Sequence, residues 1–217
     1  MQHPQAIIFD LDGTLIHSAP DLRAAINVAL SDIGRDPLDL ETTIRFIGNG
    51  VEVLVARSLA YTGGGDEVLA ARVLDRFLQA YDRDKVTLTQ PYPGVIACLS
   101  ALRSEQIPLA VCTNKPQGPA REICDLLDLT RFFDVIAGAV PEIPKKPDPA
   151  PLLAVCAQLD VPPQRVLYVG DSVVDFETAR SADVPFRLFG GGYLNAPLPD
   201  LDPAHRFEDW SDVRFTL

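Results

Sequence analysis

Two closely spaced carboxylates follow an apolar run near the start of the chain. Residues 6–9 read Ala-Ile-Ile-Phe, and Asp10 and Asp12 lie in the Asp-Leu-Asp-Gly-Thr segment that follows. Such a run is typical of a buried strand in a parallel sheet, and ligands of open α/β sheets bind outside the carboxyl ends of the strands. One carboxylate can act as a nucleophile and the other can transfer a proton. The pair also suits a hard cation such as Mg²⁺. The alternative is a solvated acidic turn.

A second apolar run, residues 108–112, ends at Thr113 and Asn114. A helix is predicted over residues 117–127. A hydroxyl and free backbone N–H groups at a helix start form an anion site. Alternatively, Thr113 or Asn114 only caps that helix.

Two lysines, Lys145 and Lys146, lie in a segment that contains three prolines. A helix is predicted over residues 150–159. A lysine on a rigid loop supplies a point charge for phosphate. We favour Lys146 for this role, with Lys145 as its exposed neighbour; the alternative is a solvated pair of lysines.

A third apolar run, residues 166–169, follows Arg165 and precedes Asp171 and Asp175. Asp171 is a candidate cation ligand. Asp175 lies four residues on, and we expect it either behind Asp171 or in contact with Lys146. The alternative is that Asp171 caps the following helix. Carboxylates, a hydroxyl group and a lysine thus lie at four predicted strand ends. This combination favours one shared site over four independent helix caps.

These segments together resemble the four motifs of the haloacid dehalogenase superfamily, in the same order and with suitable intervals. The resemblance implies that Asp10 is the nucleophile, that Asp12 is the general acid and base, and that Thr113 and Lys146 complete the catalytic set. It also implies Mg²⁺ held by Asp10, the backbone carbonyl of Asp12, and Asp171. The implied phosphate-binding residues are Leu11, Asp12, Thr113, Asn114 and Lys146.

The resemblance further favours a phosphatase or phosphomutase, because dehalogenases lack the second aspartate and phosphonatases carry Ala there. Residues 45–57 and 146–152 resemble segments of bacterial phosphoglycolate phosphatases, although His17 stands where those relatives usually carry Asp. The implied substrate is 2-phosphoglycolate, and Arg45, Gly48 and Asn49 are the implied specificity residues. The alternatives are a sugar phosphate, an amino-sugar phosphate or pyrophosphate as substrate.

Helical spacing between the first two motifs predicts an inserted helical domain. About a hundred residues lie there, more than one crossover needs. We predict three helices, the first capped by Ser18 and the others over residues 51–60 and 66–81. The expected architecture is an α/β, Rossmann-like parallel-sheet core of residues 1–15 and 88–217 with an all-helical cap of residues 16–87. Residues 133–137 and 185–189 are predicted strands, the latter the last one.

Composition restricts the class of partner. The 217 residues carry a formal net charge of −11, which argues against nucleic acid and anionic membranes as partners. The four cysteines have no Cys-x-x-Cys spacing, so reduced core thiols in a cytoplasmic protein are expected. We predict a monomer or homodimer that acts on a small phosphate ester. A non-catalytic phospho-acceptor signalling module is the alternative from another class, but receiver domains are much shorter and lack a helical insertion.

Overall fold

A computed structural model describes residues 3–211 and 213–215 of the chain. It divides into two compact units. The larger comprises the residues up to His17 together with those from Pro91 onward, and the smaller comprises Ser18–Gln90. Within the described residues, every helix is too short or too polar to cross a lipid bilayer.

Short strands, most of them apolar, build the sheet of the larger unit. The described strands are β1 (Ala6–Phe9), β2 (Ile16–His17), β3 (Gln90–Pro91), β4 (Leu109–Pro116), β5 (Val135–Ala139), β6 (Val166–Gly170), β7 (Phe186–Phe189) and β8 (Arg206–Phe207). Six of them form one sheet in the order β5-β4-β1-β6-β7-β8, and all of its pairings are parallel. The predicted parallel-sheet core is thereby confirmed.

The central position of β1 determines where the polar residues meet. Phe9 lies opposite Val111 of β4 on one side and opposite Val169 of β6 on the other. The residues that follow these three positions therefore share one edge of the sheet. The four residues of β1 are fully buried, and burying each large apolar side chain contributes about 1.5–3 kcal/mol. Burial thus fixes the register that brings the polar residues together.

Helices alternate with the strands of the larger unit. The described α-helices are α1 (Ala19–Ser31), α2 (Leu40–Phe46), α3 (Val51–Tyr61), α4 (Glu67–Asp84), α5 (Val95–Ser104), α6 (Gln117–Leu126), α7 (Ala150–Gln158) and α8 (Val173–Ser181). The last four belong to the larger unit. Leu152 of α7 and Ala179 of α8 pack into one buried cluster with Ile8 and Tyr168 of the sheet.

The helical unit contains one helix more than the sequence predicts. α2 was missed: it begins after Asp39, whose carboxylate accepts the backbone N–H of Thr42 at 2.7 Å. The predicted cap of α1 is also wrong. Ser18 stands at the N-cap position but makes no capping hydrogen bond, and its buried Oγ has no hydrogen-bond partner among the described residues.

Two strand predictions need correction. β4 does not end at residue 112 but continues to Pro116, so Pro116, and neither Thr113 nor Asn114, precedes α6. The strand predicted as the last one, observed as β7, is followed by β8, which pairs with it. β8 contains only two residues, too few for an alternating pattern to reveal.

Candidate active site

Three buried carboxylates meet at the carboxyl edge of the sheet. Asp10 directly follows β1, Asp171 directly follows β6, and Asp175 lies in the first turn of α8. One carboxylate oxygen from each of the three lies within 4.8 Å of the others. Three carboxylate oxygens this close together can hold one metal ion.

Lys146 supplies a positive charge to this cluster. Its Nζ lies 2.8 Å from Asp10 Oδ1, 2.6 Å from Asp175 Oδ1 and 2.8 Å from the hydroxyl of Tyr168. The neighbouring Lys145 is exposed. The alternative of a solvated lysine pair is therefore wrong for Lys146.

Asn114 holds the backbone of the lysine loop. Its Nδ2 donates to the carbonyl of Lys146 at 2.9 Å, and its Oδ1 accepts the backbone N–H of Lys146 at 2.8 Å. The side chain of Asn114 thus acts on the loop that presents Lys146. Its role in phosphate binding stays a prediction.

Asp171 is fixed by donors on both of its oxygens. The hydroxyl of Thr14 donates to Oδ1 at 2.7 Å, and the backbone N–H of Tyr193 donates to Oδ2 at 2.6 Å. Gly13, with a φ of +92°, lies so close to Asp171 that a Cβ there would overlap its carboxylate. A side chain at residue 13 would displace the carboxylate, so the Asp-Gly-Thr turn requires glycine.

Asp175 links Lys146 to the start of α8. Its Oδ2 accepts the backbone N–H and the hydroxyl of Ser172 at 3.1 and 2.5 Å, and its own N–H donates to Ser172 Oγ at 3.2 Å. This reciprocal arrangement is a capping box. Ser172 is the N-cap of α8, so the alternative that Asp171 caps this helix is wrong.

Asp12 lies opposite a lysine that the sequence analysis missed. Lys115 Nζ contacts both carboxylate oxygens of Asp12, at 3.1 and 3.0 Å. Thr113, two residues earlier in β4, is buried, and its hydroxyl accepts the backbone N–H of Lys115 at 3.2 Å. Leu11 shapes the turn: its carbonyl accepts the N–H groups of residues 14–16.

Comparison with known proteins decides the family. Residues 4–183 match the model for haloacid dehalogenase-like hydrolases. The chain belongs to this family. It is 47% identical over 200 residues to a phosphoglycolate phosphatase of Cereibacter sphaeroides, covering 92% of this chain and 90% of that protein. It is 40% identical to a phosphoglycolate phosphatase of Rhodospirillum rubrum, covering 97% of this chain and 89% of that one.

A solved structure supports the same relationship. The crystal structure of a predicted phosphoglycolate phosphatase from Haemophilus somnus superposes with a TM-score of 0.90 at 31% identity, covering 98% of this chain and 97% of that chain. The predictions of the superfamily, of its fold and of a phosphatase are confirmed.

Burial and the lysine charge set the protonation of the cluster. Burial raises the pKa of Asp10 to about 6, although Lys146 opposes the shift. Burial and the charge of Asp175 raise the pKa of Asp171 well above its usual value. Burial also raises the pKa of Asp175, but Lys146 and the hydroxyls of Ser172 and Tyr168 outweigh it, so that pKa lies below its usual range. The charges of Asp10 and Asp175 outweigh burial at Lys146 and raise its pKa.

The donor set fits a hard divalent cation. Three ionised carboxylates and one ammonium would leave two negative charges in a buried pocket, which is costly without compensation. Carboxylate oxygens are the ligands that such cations prefer. Burial is the largest cause of the raised pKa values of Asp10 and Asp171, and the negative charge of Asp175 adds to it.

The three predicted specificity residues lie in the helical unit. Arg45 of α2 is exposed, and its Nη2 donates to Thr42 Oγ1 at 3.0 Å. Asn49 Oδ1 accepts a hydrogen bond from Arg57 at 3.2 Å. Gly48 has a φ of +114°, with open space around the position of a Cβ.

Two further residues of the site escaped the sequence analysis. Tyr168, in the middle of β6, contacts Lys146 and Asp175 through its hydroxyl, each at 2.8 Å. In the sequence, its hydroxyl was the one feature that set this residue apart from the apolar residues of the strand. Lys115 directly follows Thr113 and Asn114 of the second motif. Its position next to that motif was the feature that could have identified it as a site residue.

Proposed function

We propose that this phosphatase hydrolyses 2-phosphoglycolate to glycolate and inorganic phosphate, with Mg²⁺ as its metal ion and a covalent phosphate on Asp10. The observation that carries the proposed site is the contact of Lys146 with Asp10 beside Asp171 and Asp175. The support for the substrate is the name of the relatives that are 40–47% identical over most of their length.

In this proposal Asp10 attacks phosphorus in line with the leaving oxygen. Lys146 contacts one oxygen of Asp10 at 2.8 Å, so the attacking carboxylate is held in a fixed orientation. Lys146, Thr113 and the N–H groups of Leu11 and Asp12 hold the phosphoryl oxygens. Phosphoryl transfer depends chiefly on positioning and on electrostatic stabilisation, which such fixed donors provide.

Asp12 acts as general acid and then as general base. It gives a proton to the departing alkoxide, and afterwards takes one from the water that cleaves the aspartyl phosphate. A positioned acid or base of this kind contributes about 10²–10⁴-fold to a rate.

Mg²⁺ would be held by Asp10, Asp171 and the backbone carbonyl of Asp12. When bound, it supplies positive charge to the phosphoryl oxygens. Asp175 ties Lys146 and the start of α8 together and keeps the lysine within reach of Asp10.

The helical segment, residues 16–87, is proposed as a cap that closes over the organic part of the substrate and excludes water. Arg45 is proposed to bind the substrate carboxylate, since a guanidinium recognises carboxylates with two parallel hydrogen bonds. Gly48 and Asn49 would line the same region.

A substrate panel tests the proposal. Purified protein is assayed with 2-phosphoglycolate, sugar phosphates, an amino-sugar phosphate and pyrophosphate, each with Mg²⁺ and with EDTA. We expect the highest kcat/KM with 2-phosphoglycolate and no turnover in EDTA. Preference for another ester would overturn the substrate and leave the phosphatase intact. An isomerised phosphate ester, in place of inorganic phosphate, would indicate a mutase.

Acid quenching tests the intermediate. Phosphate from a labelled ester should be trapped on the wild-type protein and not on Asp10→Asn. The trapped phosphate should turn over within seconds; a much longer lifetime would favour a phospho-acceptor switch.

A further inference from the structure

We propose that Lys115 is a positioning residue for Asp12, whose ammonium orients the carboxyl group and stabilises the carboxylate that forms as the leaving group is protonated. The inference rests on the role proposed above for Asp12. It adds a residue that neither the sequence motifs nor the comparisons single out.

The geometry is that of a directed ion pair. Nζ of Lys115 lies within 3.1 Å of both carboxylate oxygens of Asp12. The lysine side chain is only 4% exposed, whereas the Asp12 side chain keeps 14% of its surface exposed. A buried ammonium is costly unless it is paired, so the contact fixes the orientation of Asp12, while part of the Asp12 side chain stays exposed.

The strand geometry explains how two residues 103 positions apart meet. β4 is hydrogen-bonded next to β1, and it continues past Thr113 as far as Pro116. This extension carries Lys115 to the turn that follows β1. Had the strand ended at residue 112, the lysine would belong to a helix start.

The chemical step shows what this charge contributes. As Asp10 forms its bond to phosphorus, the bond from phosphorus to the ester oxygen breaks and its electron pair stays on that oxygen. Protonated Asp12 gives its proton to this oxygen and becomes a carboxylate beside Lys115. In the second step the same carboxylate takes a proton from water, and the resulting hydroxide displaces phosphate from Asp10. A cation already in place stabilises the charge that develops on Asp12 in the first step.

Leaving-group dependence separates this role from a structural one. 2-Phosphoglycolate releases an alkoxide, which needs a proton, while p-nitrophenyl phosphate releases a stable phenolate, which does not. For Lys115→Met we expect kcat/KM to fall about 10–100-fold with 2-phosphoglycolate, part of the 10²–10⁴ that general acid catalysis contributes. The value for p-nitrophenyl phosphate should change by less than about threefold, since it lacks this requirement.

The ratio of the two kcat/KM values is measured on one preparation and is therefore independent of the folded fraction. Lys115→Arg, which keeps the cation, should restore most of the ratio. Lys145→Met removes the same charge from an exposed position and should leave the ratio at the wild-type value. Equal losses with both esters, or a change confined to KM, would overturn the proposal.

Asp12→Asn separates a failure of this inference from a failure of the proposed role of Asp12. If Asp12→Asn does not lower the ratio, the role of Asp12 is wrong. If it does and Lys115→Met does not, only the inference about Lys115 is wrong. Adding Lys115→Met to Asp12→Asn should give no further loss. A further loss with 2-phosphoglycolate would mean that Lys115 binds substrate directly, which also overturns the proposal.

Discussion

Lys146 combines two tasks that its contacts make inseparable. It orients Asp10, and it offsets the charge of Asp10 and Asp175 in a buried pocket. We expect Lys146→Met to lower kcat/KM by about 10²–10³, the cost of removing one preorganised donor. Steady-state kinetics with 2-phosphoglycolate measure the loss, and urea unfolding reports whether the variant folds. Lys145→Met is the matched control; a comparable loss in that variant would contradict the prediction.

Arg45 allows a separate prediction about the substrate carboxylate. Hydrogen bonds to a charged partner contribute about 1.5–3 kcal/mol, so Arg45→Met should raise KM for 2-phosphoglycolate about 10–100-fold. An alkyl phosphate without a carboxylate should show an unchanged KM. Arg72→Met removes an exposed arginine of α4 and serves as the control. If both esters lose equally, Arg45 does not recognise the carboxylate.

At the level of single residues, the sequence predicts the functional side chains that directly follow strands. It does not predict side chains whose partners lie far away along the chain. Asp10 and Asp171 follow apolar runs, so their meeting at one edge follows from the parallel sheet. The pairing of Lys115 with Asp12 depends on how far β4 extends beside β1. The contact of Tyr168 with Lys146 depends on which face of β6 that side chain occupies, and no local pattern specifies either property.

At the level of secondary-structure elements, Asp21 links α1 to residues 88–89, near the end of the same helical unit. This buried carboxylate accepts the backbone N–H groups of Leu88 and Thr89, at 2.8–3.0 Å, and the Thr89 hydroxyl at 2.7 Å. Asp21→Asn replaces one acceptor oxygen by a donor that faces other donors. We expect the free energy of unfolding to fall by about 1–3 kcal/mol, the cost of an unsatisfied buried polar group.

Urea unfolding monitored by circular dichroism measures this change. Asp36→Asn, at an exposed position between α1 and α2, is the control and should unfold like the wild type. Equal stability of Asp21→Asn and the wild type would mean that the hydrogen bonds from these three donors contribute nothing net.

The predicted elements were those with a strong apolar period. α3, α4 and α6 have buried residues at helical spacing and were found within a few residues of their ends. α2 is only seven residues long and contains Thr42, Thr43 and Ile44, which are β-branched and disfavour a helix. Its cap and its packing in the helical unit stabilise it against this preference, and neither was visible as a periodic pattern.

For the whole molecule, the alternation of strands and helices predicted a parallel sheet, because right-handed crossovers are the rule for such units. The position of β1 between β4 and β6 did not follow from that alternation. It determines the site nevertheless, since it brings the residues after three strands to one edge.

The stability of the metal-free protein should depend on pH in an unusual direction. The pKa of Asp10 rises from 3.8 to about 6 on folding, so the folded state binds this proton more tightly than the unfolded chain. Stability then falls as pH rises through that interval, and the raised pKa of Asp171 acts in the same direction. Urea unfolding in EDTA between pH 4 and 8 measures the slope. Asp10→Asn should have a shallower slope; an equal slope would contradict the assignment to Asp10.

A divalent cation should reverse this loss by holding the ionised carboxylates. At a Mg²⁺ concentration 100 times its Kd, a ligand specific for the folded state adds about 2.7 kcal/mol. For a chain of this length the corresponding rise in Tm is about 5–10 °C. Binding must displace the proton of Asp10, so the rise in Tm should be full at pH 7.5 and much smaller at pH 5.

Thermal unfolding with Mg²⁺ and with EDTA at both pH values measures this rise in Tm. Asp36→Asn should retain the shift and Asp171→Asn should lose it. A shift that persists in Asp171→Asn would place the cation elsewhere, because the proposed site would then lack one of its carboxylate ligands.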